Sequence, residues 1–234
     1  MEHFETAHYV FHYHAGSKAE RDIVEIAAMQ ERCYAHICAC LQTQINFKIQ
    51  YYLCLSPEDV GAVYGDNDPC NGFCAMPDKI YAVYNEDVQC IGFHEDAHII
   101  SYTINRPDPP AIREGIAMYF DRQWWGISTL AWTRFYLDTG RYIPVDALLD
   151  RQTFFANDCS LTYPIMGAFT DWLISRYGMA AYLAMYKQQD AASALTQTYG
   201  QTPGELDLAF QAYVRLFYVD DAVTQRMEAL LSAK

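Results

Sequence analysis

The sequence has no run of about 18 apolar residues, because charged or polar side chains interrupt every hydrophobic segment earlier. We therefore expect no membrane-spanning helix and no membrane partner. Basic residues are also scarce, since 16 Lys and Arg stand against 29 Asp and Glu, for a formal net charge of -13. A chain with this charge balance repels a phosphate backbone, so nucleic acid is not an expected partner.

A secretory signal is a second feature that the sequence does not display. Residues 1–10 contain no basic segment followed by an apolar one. We therefore expect a cytoplasmic protein, or a secreted one if a signal peptide has been trimmed away.

Cysteine is too sparse for a disulfide-stapled scaffold. The eight cysteines fall well below the roughly 8–10% of residues that such scaffolds contain. Neither Cys38-x-Cys40 nor Cys70-x3-Cys74 has the paired spacing of a structural zinc site. We expect reduced, mostly buried thiols, while a disulfide framework stays open as the alternative.

What the chain does contain is enough apolar material for a packed core. Hydrophobic residues make up 52% and aromatic residues 15%, whereas charged residues account for 19%. This composition excludes an intrinsically disordered chain. A length of 234 residues fits one large domain or two small lobes, and a single catalytic domain spanning 1–234 is the simplest expectation.

Residues 1–84 predict a small mixed α/β lobe. Aromatic residues alternate over 8–14 and predict a strand, and apolar residues recur at helical spacing over 18–42 after Ser17, a plausible N-cap. Further strands are predicted over 46–55 and 79–84, and a loop over 61–72, where turn-forming residues are dense.

Residues 85–234 predict helices. Together with the first lobe they predict an α+β fold in which an active-site helix and a helical lobe follow the N-terminal α/β lobe. The predicted helices span 86–104, 110–122, 127–138, 164–177, 179–188, 204–218 and 221–232.

The segment with the clearest chemistry is His94-Glu95-Asp96-Ala97-His98, an H-E-x-x-H sequence in a helix-like run. Two histidines four residues apart lie on one face of a helix, where both imidazoles can reach a single Zn2+. Glu95 can then act as general base towards a water that the metal activates. The alternative is an ordinary amphipathic helix that carries two histidines.

A catalytic zinc site needs a third protein ligand, and Glu114 is the candidate. It lies in the first turns of a helix that begins after the Pro109-Pro110 pair, and a reversal of the chain between the two helices can bring its carboxylate to the imidazoles. We expect one Zn2+ per chain. The alternative for Glu114 is an acid that stabilises a helix N-terminus.

These residues resemble the gluzincin metallopeptidases, the thermolysin and aminopeptidase N superfamily, and most closely the compact peptidase MA-like proteins. The second motif of that family, roughly E-G-x-A-x-Y-F, stands here as Glu114-Gly-Ile-Ala-Met-Tyr-Phe120. A later helix of the form Y-x-x-x-G-x-F-x-x-x-L-x-x-x-Y-G matches Tyr163 to Gly178. The resemblance covers about residues 45–218.

The resemblance implies a zincin-like fold and a zinc-dependent peptidase that acts on a peptide or protein substrate. It implies His94, His98 and Glu114 as zinc ligands, Glu95 as general base, and Tyr163 as a donor to the oxyanion that forms during peptide hydrolysis. For Tyr163 a purely structural role at a helix start stays open.

The sequence departs from this family in two respects. The spacing from His98 to Glu114 is short, and no Gly-x-Met-Glu-Asn segment is present to anchor a free amine. The second departure disfavours an exopeptidase. The segment 72–76 is instead predicted to form an edge strand along which an extended peptide pairs.

Two other functions stay open. The chain can be a gluzincin-fold protein that binds or scaffolds peptides without catalysis, or a zinc hydrolase of another amide or ester. An intact Glu95 beside the ligands favours an enzyme, since a binding module needs no general base.

Overall fold

The computed structural model describes residues 1–232 and shows a mixed α+β protein in which helices follow a small N-terminal sheet. The chain divides into two compact units, Met1–Ile104 and Asn105–Lys234. Over the described residues, no helix combines the length and the apolar character that crossing a bilayer requires.

The first unit contains a five-stranded sheet in the order β1-β2-β3-β5-β4. The three central strands are parallel, and the two edge strands run antiparallel to their neighbours. The strands are β1 (Glu2–Glu5), β2 (Tyr9–Tyr13), β3 (Ile49–Cys54), β4 (Gly72–Ala75) and β5 (Lys79–Val83).

One face of this sheet is apolar because its strands alternate as the sequence predicts. Tyr9, Phe11 and Tyr13 of β2 are buried, while the intervening Val10 and His12 are half-buried. Helix α1 (Lys18–Leu41) connects β2 to β3 and packs on β2. Its predicted cap is confirmed, since the Ser17 side chain accepts a hydrogen bond from the main-chain N–H of Glu20.

Two other helices complete the first unit. α2 (Pro57–Tyr64) packs against β3, β4 and β5, where Cys54, Val60 and Val83 form a small buried cluster. α3 (His94–Tyr102) contacts α1, β4 and β5. Burial raises the pKa of the Cys54 thiol to about 11, so this thiol stays protonated at neutral pH.

The cysteines are less buried than predicted. Three are buried, four are half-buried and Cys159 is exposed. The buried ones are Cys33, Cys38 and Cys54.

Several predictions for the first unit were wrong in detail. The predicted loop over 61–72 contains the end of α2, because Ser56 caps a helix that Pro57 starts, and only Gly65 ends it. Strand β1 was not predicted. The predicted helix over 86–104 begins only at His94 and ends at Tyr102.

The late start of α3 follows from a turn at Asn85 and from a hydrogen bond to the end of β5. The Asn85 side chain accepts hydrogen bonds from the main-chain N–H groups of Asp87 and Val88, which forms a turn. The N–H of Cys90 then donates to the carbonyl of Val83, at the end of β5, at 2.8 Å. These bonds hold residues 85–90 outside any helix.

The second unit is helical apart from a two-stranded hairpin, β6 (Gln123–Trp124) and β7 (Ile127–Ser128). Its helices are α4 (Pro110–Asp121), α5 (Thr129–Thr139), α6 (Val145–Leu148), α7 (Arg151–Ala156), α8 (Cys159–Tyr177), α9 (Met179–Tyr186), α10 (Ala191–Tyr199), α11 (Pro203–Val214) and α12 (Asp221–Ser232). Helices α6, α7 and α10 were not predicted.

Helix α8 begins five residues before the predicted start at 164, and Pro164 lies inside it. A proline in a helix leaves the carbonyl four residues earlier without its usual N–H partner. Here that carbonyl belongs to Ser160, and the Tyr136 hydroxyl donates to it at 2.6 Å. A side chain from α5 therefore replaces the lost helical hydrogen bond.

Candidate metal centre

The H-E-x-x-H segment forms the N-terminal half of α3, with His94 as the first helical residue. The rings of His94 and His98 lie one turn apart, with centroids 4.9 Å from each other and planes at 85°. His98 is buried, whereas His94 and Glu95 are half-buried. The helical spacing thus places the two imidazoles side by side, as the sequence predicts.

The N-cap residue of α3 makes no capping bond, as is also the case in α4, α6 and α9. The N-cap residue is Phe93, which makes no side-chain capping hydrogen bond. Gly92 just before it has a φ of +135°, a backbone conformation that favours glycine. The first turn of α3 therefore gains no hydrogen bond from its own N-cap side chain.

The opposite side of α3 carries a buried polar network. Asp96 is fully buried, and its Oδ2 accepts hydrogen bonds from the Tyr9 hydroxyl at 2.6 Å and from Nε2 of Gln30 at 3.0 Å. Nε2 of Gln30 also donates to the main-chain oxygen of Gly92 at 3.0 Å. The Tyr9 hydroxyl lies 3.1 Å from the main-chain oxygen of Gln30. Strand β2, helix α1 and helix α3 are therefore joined at one point.

Burial sets the protonation of this network. Burial raises the pKa of Asp96 well above its usual range, and the nearby Glu95 carboxylate raises it further, while the Tyr9 hydrogen bond opposes the shift. Burial also raises the pKa of the Tyr9 hydroxyl, and the nearby Asp96 carboxyl raises that pKa further. Tyr9 is therefore a protonated donor throughout the physiological range.

Glu114 is the fifth residue of α4 and is half-buried. The first turn of α4 contains no acidic residue, so the alternative role of Glu114 as an acid at the helix N-terminus does not apply. Pro110 occupies the start of the helix, where a missing N–H costs nothing. The Arg113 guanidinium donates to the carbonyls of Pro107 and Asp108, each at 2.7 Å, which holds the preceding turn.

His94, His98 and Glu114 form a group that can hold a metal ion. Each side chain offers one ligand atom, and all three atoms lie within 4.8 Å of one another. Around a tetrahedral zinc with bonds of 2.0–2.1 Å, ligand atoms are about 3.3 Å apart, so side-chain adjustments of at most about 1.5 Å close the set. Two imidazole nitrogens and a carboxylate oxygen are a donor set that suits Zn2+.

Glu95 lies next to the edge strand β4. A Cβ atom built on Gly72 would be 3.7 Å from Oε1 of Glu95 and 3.2 Å from Sγ of Cys90. The same Cβ would be 3.3 Å from the main-chain oxygen of Tyr81, so Gly72 brings β4 close to Glu95 at a position with little room for a side chain. The sequence predicted segment 72–76 as an edge strand, and β4 is one over Gly72–Ala75.

Tyr163 lies on α8 in the second unit and is half-buried. Its ring stacks on Phe154, with centroids 6.0 Å apart, and meets the edge of Trp124 at 5.6 Å. These ring contacts give the residue a structural role. Its function as an oxyanion donor stays a prediction.

Tyr9, Gln30 and Gly72 are neighbours of the motif that the sequence alone does not identify. Gln30 carried a detectable signal, because it falls within the apolar stripe of α1 that includes Ile26 and Cys33. A polar residue at a buried position needs a hydrogen-bond partner, and here the partner is Asp96. Asp96 itself points away from the ligand face, as the helical period predicts.

No family model, curated protein or solved structure matches the chain. The chemistry of the side chains is therefore the basis for a function.

Gly115, directly after Glu114, gives a testable consequence of the packing. A Cβ at Gly115 would be 2.5 Å from Oγ1 of Thr170 and 3.1 Å from the main-chain oxygen of Met166, so α4 and α8 must move apart to accept it. We expect Gly115→Ala to destabilise the protein by about 1–3 kcal/mol and to weaken zinc binding, because Glu114 moves with its helix. Chemical denaturation and zinc titration measure the two effects.

Gly204→Ala is the matched control for this substitution. Gly204 also lies in a helix, and a Cβ there would make only an ordinary contact, 3.7 Å from Asp146. This variant should be as stable as the wild type or slightly more so, because alanine favours the helix. Equal behaviour of the two variants would contradict close packing at Gly115.

Proposed function

We propose that the protein is a zinc-dependent metallopeptidase of the gluzincin type, with a zincin-like arrangement of its H-E-x-x-H helix. The observation that carries the proposal is the convergence of one ligand atom each from His94, His98 and Glu114 within 4.8 Å. A carboxylate that is not a ligand, Glu95, follows the first ligand directly, as general-base catalysis requires. One Zn2+ per chain is the proposed cofactor, and a peptide or protein is the proposed substrate.

Each side chain has a distinct role in the proposed reaction. The imidazoles of His94 and His98 and the carboxylate of Glu114 bind the ion. When bound, zinc supplies Lewis acidity, which lowers the pKa of water towards about 7 and polarises a carbonyl oxygen. The Glu95 carboxylate takes the proton from the attacking water and passes it to the departing amine nitrogen. The Tyr163 hydroxyl is the proposed donor to the oxyanion.

The edge strand β4 supports a peptide as the substrate. β4 pairs with β5 along one side and forms one edge of the sheet. An extended peptide can add to such an edge through main-chain hydrogen bonds. The Cβ position of Gly72 is 3.7 Å from Oε1 of Glu95, so β4 begins close to the proposed base and a peptide paired with it would run near that carboxylate.

Metal content is the first test of this proposal. We expect about one zinc per chain by elemental analysis of purified wild-type protein, and loss of that zinc in a His94→Ala His98→Ala variant. Both changes remove a nitrogen ligand and leave the rest of the chain intact. Wild-type protein that contains no zinc and cannot be loaded with it would refute the proposal.

Glu95→Gln separates binding from catalysis. The amide keeps the shape of the side chain but cannot take up a proton, so zinc content should stay at about one per chain while peptide turnover falls by roughly 10²- to 10⁴-fold. A digest of a peptide library beside panels of small amides and esters measures the turnover. Zinc binding without turnover in wild-type protein would instead indicate a peptide-binding module.

Gly72→Val tests the role of β4. The added side chain would crowd Cys90, the Tyr81 carbonyl and Glu95, and we expect peptide turnover to fall at least tenfold because β4 and a peptide paired with it are displaced. Ala75→Val is the control, since side chains three positions apart on a strand point to opposite faces. Zinc content should remain normal in both variants, and full activity of Gly72→Val would exclude β4 as the substrate strand.

A further inference from the structure

The chain contains a group of buried side chains that no step of the proposed reaction uses. Tyr9, Gln30 and Asp96 meet behind α3, on the side of the helix away from the two histidines. All three are fully buried. They come from a strand, a long helix and the motif helix, and all belong to the first compact unit.

The hydrogen bonds of this group fix two properties of α3. Asp96 lies two residues from each histidine, about 200° around the helix, so holding Asp96 sets the rotation of the ligand face. Gln30 donates to Asp96 and to the carbonyl of Gly92, which fixes the residue at which the chain enters the helix. One amide group therefore holds both the start and the rotation of the first turn.

The first turn of α3 receives no hydrogen bond from its own N-cap side chain. Ser, Thr, Asp and Asn at an N-cap accept such bonds from the first turn, and Phe93 has no group that can do so. An uncapped first turn frays easily. In α3 that turn contains His94 and Glu95, so fraying would move a ligand and the general base together.

We propose that Tyr9, Gln30 and Asp96 are positioning residues for the metal centre, which fix the residue at which α3 begins and the rotation of its ligand face. They act through the helix backbone and touch neither the metal nor the substrate. This inference rests on the proposed zinc site for its effect on metal binding. Its effect on the helix itself does not depend on the metal.

The test compares Tyr9→Phe and Gln30→Met with Tyr136→Phe. Tyr9→Phe removes the hydroxyl that binds Asp96, and Gln30→Met removes the amide with little change in shape. Tyr136→Phe is the matched control, because it removes a buried hydroxyl with a 2.6 Å hydrogen bond from the other unit. All three variants should lower the thermal midpoint.

Two readouts separate positioning from general stability. The first is zinc affinity, measured by competition between zinc alone and a chromophoric chelator, and we expect it to fall about tenfold in Tyr9→Phe and Gln30→Met but not in Tyr136→Phe. The second is amide hydrogen exchange over residues 92–98 in zinc-free protein, which should be faster in the same two variants only.

Two substitutions at Asp96 test whether the hydrogen-bond acceptor itself maintains zinc affinity. Asp96→Asn keeps an oxygen that accepts from both donors, so its zinc affinity should stay close to the wild-type value, whereas Asp96→Leu should lose affinity as Gln30→Met does. If Asp96→Leu does not fold, the Tyr9 and Gln30 variants still decide the question.

Unchanged affinity and exchange in the Tyr9 and Gln30 variants, or equal changes in Tyr136→Phe, would overturn the positioning role. Failure of wild-type protein to bind zinc would instead overturn the proposed function. In that case the exchange rates over 92–98 still support or overturn the control of α3 by these three residues.

Discussion

The helical period of α3 is the constraint on which the rest of the site depends. Positions four residues apart share a face, so His94 and His98 face the same way, and the position midway between them faces the opposite way. In this chain that middle position is Asp96, which is fully buried. One short helix thus contributes the histidines on one side and a buried polar anchor on the other, and neither can rotate without moving the other.

Residue spacing and residue type predicted the elements whose structure is set by neighbouring residues. The alternation in β2, the Ser17 cap of α1 and the placement of Glu114 beyond the start of α4 were all readable from spacing and residue type. The predicted helix over 86–104 was wrong because the hydrogen bond from Cys90 to Val83 competes with helix formation. That competition depends on β5 and cannot be read from the segment itself.

Other errors came from contacts between residues distant in sequence. Pro164 predicted a helix start, yet α8 continues through it because Tyr136, on another helix, donates to the carbonyl of Ser160. The partners of Asp96 are 87 and 66 residues away along the chain, so no motif search connects them. The useful signal was Gln30, a polar residue in an apolar stripe, because buried polar groups rarely lack partners.

The beginning of α3 at the first histidine also has an electrostatic consequence. The peptide dipoles of a helix add up to a partial positive charge at its N-terminus, and that charge acts mainly within the first turn. Glu95 and Asp96 are the two acids of this turn. That partial charge acts on these two carboxyl groups more strongly than on any later residue of α3, because the field is concentrated at the helix end. The start of α3 therefore places the proposed base at the electropositive end of its own helix.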